Sequence, residues 1–186
     1  MVKDSYNFQK SLEYLKLMEY KEARSELINF WGVLGKSWGI PKAMAQVYAF
    51  LLVSNKALSI EEIMSELKIS RGNASMNIRS LIGWGLVQKE VRPGERKEYF
   101  SGERDVWQMS RKVASERKKR EIEPLLAKLA QVKNINDGGT AEAKEFKKVA
   151  TELYELVSAF DSVLKKFIKT DNKLAIKSLQ TLLALT

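Results

Sequence analysis

The sequence predicts a mainly α chain interrupted once by a small β-hairpin, and three observations predict it. Apolar residues recur at three- and four-residue spacing through most of the 186 residues, the period of an amphipathic helix. One stretch, Leu86 to Phe100, loses that period and sets Pro93-Gly94 between the strand-like runs "LVQKEV" and "RKEYF", a hairpin signal. Only three prolines and ten glycines punctuate the chain, so the helices between them can be long.

Taken in order, Asp4 to about Asn29 contains no Pro or Gly. Phe8, Leu12, Leu15, Ala23, Leu27 and Phe30/Trp31 predict one long amphipathic helix there. Gly32, Gly35 and Gly39 are expected to break it. Pro41 suits the first turn of a second helix, which "KAMAQVYAFLLV" carries to Val53. Ser59 with Glu62 forms a capping-box pattern for a short helix, "IEEIMSELK", with Ile60, Ile63 and Leu67 turned inward. Ser70 caps the next helix, about Arg71 to Gly83.

After the hairpin, Val106, Met109 and Val113 restore the helical period. Pro124 is expected to kink or restart that helix. "NINDGGT" is the clearest loop. Beyond it Phe146, Val149, Leu153, Leu156/Val157, Phe160, Val163/Leu164 and Phe167 make a sustained stripe, "TDN" ends it near Thr170, and "KLAIKSLQTLLALT" predicts a last short helix.

Three helices followed by a hairpin, with long amphipathic helices on both sides, form a winged helix-turn-helix. Three parts follow: residues 1–39, an N-terminal dimerisation helix; residues 40–113, the winged domain; residues 114–186, a C-terminal helical dimerisation region. In this arrangement the second helix of the pair enters the DNA major groove. The stretch from Ser70 to Gly83 occupies that place.

Composition narrows the chemistry. The net charge of +9 favours a polyanionic partner. Absence of cysteine excludes disulfides, thiolate metal sites and thiol catalysis. Absence of histidine removes the commonest metal ligand and general base. No catalytic constellation emerges, and no metal or cofactor is expected. "GVLGKS" ends like a phosphate-binding loop, but Phe30 stands where that motif needs its first glycine. No apolar run of about 20 residues is present, so no membrane span is expected. The opening "MVKDSYNFQKSLEYLK" has no apolar core of a secretory signal, and a cytoplasmic protein is expected.

On a helical wheel of Arg71–Gly83, Ala74, Ile78, Leu81 and Ile82 gather on one side. Gly72, Ser75, Met76 and Arg79 lie opposite, with Asn73 and Ser80 at the flank. Small residues let a backbone approach a phosphate or base edge. A helix N-terminus offers N–H groups to phosphate. Arginine pairs with guanine and asparagine with adenine in the major groove. No acidic residue occurs from Ser70 through Lys89. Arg71 to Arg120 holds 13 Lys/Arg against 6 Asp/Glu, while the remainder holds 19 against 17. The excess charge thus sits where a duplex would lie. Lys89, Arg92, Arg96 and Lys97 bracket the hairpin turn and could follow the DNA backbone or minor groove.

"SRGNASMNIRSLIGWGLV" followed by "GERKEYFSGERDVWQM" resembles the GbsR branch of the MarR-type winged-helix regulators. The resemblance runs from about Pro41 to Val113 and is sharpest from Ser70 to Met109. It implies a homodimer that binds operator DNA and usually represses transcription, with dimer contacts from helices outside the winged domain. It places Arg71, Asn73, Ser75, Asn77 and Arg79 on the recognition helix and Arg92 to Lys97 at the wing tip; Ser70, at the helix cap, is also expected at the DNA. The family's named members respond to choline or glycine betaine, and quaternary ammonium groups are held by aromatic faces. Trp31, Trp38, Tyr48 and Trp107 are the aromatics available for a small-molecule effector, although an aromatic at helical spacing is more often a core residue than part of a ligand cage. The competing reading is a winged-helix module whose basic surface meets an acidic protein or an anionic membrane surface without reading DNA sequence.

Overall fold

The computed structural model describes residues 18–136 and 138–170. These form two compact units. One runs up to Ile82 and takes in Val87–Gly102; the other holds Gly83–Leu86 and the chain from Glu103 onward. The fold is mainly α with a small antiparallel sheet, the winged helix-turn-helix that the hydrophobic period predicts.

In the first unit, α1 (Tyr20–Ser37) does not stop at Gly32 or Gly35 as expected. Both glycines are buried inside the helix. A Cβ on Gly35 would lie 2.5 Å from the Ala45 Cβ, and one on Gly32 would lie 2.6 Å from Gln46 Cγ. They are therefore glycine because α1 and the next helix, α2 (Lys42–Val53), cross too closely for a side chain. The chain turns only at Gly39, whose φ of +73° belongs to the left-handed region. The phosphate-loop-like "GVLGKS" is helical throughout, which disposes of that motif. The expected start of this helix, from Asp4, lies outside the described residues.

Helix α2 forms the centre of the unit, with Val47, Tyr48, Phe50 and Leu51 buried. A two-residue strand β1 (Leu58–Ser59) leads into α3 (Ile60–Leu67). The capping box is formed: Glu62 N–H donates to Ser59 Oγ at 3.3 Å, and Ser59 N–H donates to the Glu62 carboxylate at 2.8 Å. Lys68, left-handed at φ 52°, ends α3. Helix α4 (Arg71–Gly83) follows after the three-residue turn Lys68, Ile69 and Ser70. Strands β2 (Val87–Val91) and β3 (Glu98–Gly102) pair antiparallel with Lys89 opposite Phe100. β1 adds to the other edge of β3, giving the order β1-β3-β2.

In the second unit, Asp105 caps α5 (Val106–Arg117) by accepting from the N–H groups of Trp107 and Gln108 at 2.9 and 3.1 Å. Pro124 restarts the helix, as its place in the sequence predicts. A single π turn (Lys118–Ile122) widens the helix, and α6 (Glu123–Val132) resumes with the proline in its first turn. Proline has no N–H and its ring crowds the carbonyl four residues back, so a wider turn just before it relieves both conflicts.

Thr140 caps α7 (Ala141–Lys169), whose Ala150 and Asp161 are buried. Asp161 lies 2.7 Å from Lys165 Nζ and 3.4 Å from Lys118 Nζ, and Lys118 lies 2.5 Å from Glu123. Lys165 above all, and then Lys118, hold the Asp161 carboxyl below its ordinary range against the opposing effect of burial. The apolar stripe divides. Val157, Leu164 and Phe167 are half-buried, while Phe146, Val149, Leu153, Leu156, Phe160 and Val163 remain 45–67% exposed. The short helix expected over "KLAIKSLQTLLALT" lies outside the described residues. Within the first unit α1 packs on α2, and within the second α5 joins the C-terminal helices.

Candidate nucleic-acid interface

The first turn of α4 is built by Ser70, whose Oγ accepts from Asn73 N–H at 3.3 Å. Ala74, Ile78 and Leu81 face the core as the wheel predicts. Two positions differ. Asn77, expected among the DNA-facing residues, is 4% exposed, whereas Ile82, expected in the core, is 38% exposed. The stripe 74, 77, 78, 81 is the tighter three/four repeat, and Ile82 falls at its edge. Buried Asn77 is satisfied locally, its Nδ2 donating to the Asn73 carbonyl at 2.9 Å and to Asn73 Oδ1 at 2.5 Å. Asn77 is therefore withdrawn from the set of DNA-facing residues.

The outer face consists of Gly72, Met76 and Arg79, all exposed, with Asn73, Ser75 and Ser80 half-buried beside them. Arg79 Nε donates to the Ser75 carbonyl at 3.4 Å, which lays its guanidinium along the helix. A Cβ on Gly72 would meet no atom within 4 Å. This glycine, unlike Gly32 and Gly35, has no internal steric reason to lack a side chain.

Several of the predicted cations have partners. Arg71 pairs with Glu61 on α3. The Glu61 carboxyl is held below its ordinary range first by a backbone hydrogen bond, then by Arg71 and by the charge of Lys97. On the wing, Lys89 lies 2.5 Å from Glu98 across the β2–β3 pair. The Arg92 guanidinium stacks 3.8 Å over the Tyr99 ring. The Tyr99 hydroxyl donates to Glu95 at 2.5 Å, and that bond pushes its ionisation above the ordinary phenol range. Arg79 and Arg96 are exposed and form no ion pair among the described residues. The cations are legible in the sequence; their neighbours Glu61, Glu98 and Tyr99 are not. Only the register and the α3–α4 turn bring these to them.

The four aromatics are divided between the two units. Tyr48 is a core residue at 4% exposure, so it is corrected from effector candidate to packing residue. Trp31 is half-buried on α1, Trp38 is exposed at its C-terminal cap, and Trp107 belongs to α5 of the other unit. Among the described residues no cluster of three or more Asp, Glu, His or Cys could hold a metal, and no helix is long and apolar enough to cross a membrane.

What the outer face of α4 offers is donors, acceptors and open backbone at a helix N-terminus, beside a basic two-stranded ribbon in the same unit. A solved structure described as the crystal structure of a transcriptional regulator is similar to this chain at a TM-score of 0.52 and 19% identity, covering 80% of this chain and 99% of that one. That likeness shows the fold. No family model matches the chain, and no curated protein does.

Proposed function

We propose that the chain is a sequence-specific regulator of transcription of the GbsR/MarR type, non-enzymatic, that binds double-stranded DNA as a homodimer and represses from a two-fold operator. The observation that carries this reading is the acid-free outer face of α4, with exposed Gly72, Met76 and Arg79 and half-buried Asn73 and Ser75, next to the basic wing. An ordinary surface helix would be filled with Glu, Lys and Gln. Ser70, Asn73, Ser75 and Arg79 serve base edges or nearby phosphates. Arg71, Lys89, Arg92, Arg96 and Lys97 serve the backbone.

The second copy docks on α7. Six large apolar side chains lie exposed along a helix of 29 residues, about 43 Å at 1.5 Å per residue. Burying each such side chain is worth roughly 1.5–3 kcal/mol. A two-fold pair would set two recognition helices about 34 Å apart or a multiple of it, one DNA turn.

The test is selection of bound duplexes from random DNA, followed by titration at several salt concentrations. An inverted repeat bound with steep salt dependence supports the reading. Enrichment of no sequence, with vesicles or acidic proteins bound equally well, would replace it with the interaction-module reading. Sedimentation equilibrium tests the dimer: Leu153→Asp and Phe160→Asp should give a folded monomer or an unfolded chain and lose operator binding, and a wild-type monomer would refute it.

A further inference from the structure

An asparagine side chain has a donor end and an acceptor end. Which end faces outward decides which base it can read. On α4 that choice is made by Asn77. Its Nδ2 donates to the backbone carbonyl of Asn73 at 2.9 Å. A carbonyl can only accept, so the NH2 end of Asn77 is fixed towards Asn73. The side-chain atom of Asn73 that meets the same NH2 group at 2.5 Å must itself be an acceptor, and so is Oδ1. Asn73 Nδ2 is then directed to the other side. It has no partner among the described residues, and it is not among their buried unsatisfied atoms.

Asn73 is the third residue of α4, in the turn where recognition helices meet base edges. Resting on the DNA-binding reading above, we infer that buried Asn77 is a positioning residue. It locks Asn73 to present two N–H donors and so directs it to guanine. Guanine shows two acceptors, N7 and O6, on its major-groove edge; thymine O4 is a second-best match. Adenine offers N7 but sets its own N6 amino group against the second donor. The usual bidentate pairing of asparagine with adenine needs Oδ1 facing the base; Oδ1 keeps a second lone pair, but the bond from buried Asn77 holds it turned towards the helix. The preference expected from residue type alone is thereby reversed by a neighbour one turn away.

The experiment is duplex selection with wild type, Asn73→Ala and Asn77→Ala, each checked for helical content. Asn73→Ala should erase the preference at one position per half-site. In wild type that position should be guanine, or thymine at lower frequency, favoured about tenfold over adenine. Asn77→Ala frees the Asn73 amide to turn over and should admit adenine there while leaving the other positions as they were. Asn77→Asp, if it folds, should go further and favour adenine or cytosine, because a carboxylate would draw the Asn73 NH2 inward.

Adenine at that position in wild type overturns the inference. So does an Asn77→Ala preference identical to wild type, and so does an Asn73→Ala variant that alters no position. In each of these the operator is still bound and the DNA reading survives. A wild-type protein that selects no sequence fails earlier, and takes both with it.

Discussion

Replacing Gly72 with alanine should make the protein more stable and a poorer DNA binder. The residue is helical, and its φ is not among the positive ones. A Cβ there would touch no atom within 4 Å. Nothing in the fold opposes the substitution, and the lost backbone freedom of the unfolded chain should stabilise by about 0.4–1 kcal/mol. For a chain of this size that is a rise of roughly 1–4 °C in the melting midpoint. If α4 lies in the major groove, the same methyl group points at the duplex. Displacing one direct contact should cost about 1–3 kcal/mol, tenfold or more in affinity. Thermal melting and operator titration on the same preparation read both signs. A stabilised Gly72→Ala protein with unchanged operator affinity would refute the close approach of this turn to DNA.

Glu61→Gln should release Arg71 and Lys97 and raise affinity on all sequences by roughly two- to tenfold at low salt, an effect that fades as salt screens it; unchanged affinity would mean that neither cation meets phosphate. Arg96→Ala, which removes an unpaired cation, should flatten the salt slope by about one unit on specific and random duplexes alike, and an unchanged slope would take the wing tip off the DNA. Asp161→Asn should destabilise the C-terminal unit by about 1–3 kcal/mol at neutral pH, because it strips a buried carboxylate from Lys165 and Lys118 while Glu123 still holds Lys118. The folded carboxyl ionises below its ordinary value, so its contribution is complete above that value and is lost as pH falls through the depressed one. The gap between wild type and variant should therefore close only below about pH 4, and a gap that closed between pH 5 and 7 would count against this origin.

Local signals in the sequence were read correctly. The Ser59–Glu62 capping box, the Ser70 cap and the hairpin turn each depend on residues within four positions of one another. Gly32 and Gly35 were misread because a glycine that breaks a helix and one that admits a neighbour are the same letter. What distinguishes them is Ala45 and Gln46 on α2, ten or more residues away. β1 was invisible for another reason. Two residues cannot display a period, and Leu58–Ser59 is a strand only because the edge of β3 is there to pair with it. The π turn likewise follows from Pro124, but its position depends on how the helix relieves the conflict rather than on a residue preference.

The candidate interface was legible in its types and not in its pairings, and the pairings change what the charge can do. Six arginines and lysines were expected at DNA. Arg71 and Lys89 rest on carboxylates and Arg92 lies on Tyr99; among the described residues Arg79, Arg96 and Lys97 stand without an ion pair or ring contact, though the charge of Lys97 acts on Glu61. Exposed ion pairs are worth about 0–1 kcal/mol, so a phosphate can displace a carboxylate at little cost. The displaced carboxylate nevertheless stays close by and offsets part of the charge that the cation brings. A salt slope of about −0.9 per neutralised phosphate should then fall short of the value for six cations per protomer. It should approach that value only as Glu61 and Glu98 are neutralised in turn. The acids that flank the basic surface thus limit its hold on any duplex, and leave discrimination to the uncharged and lightly held groups of α4.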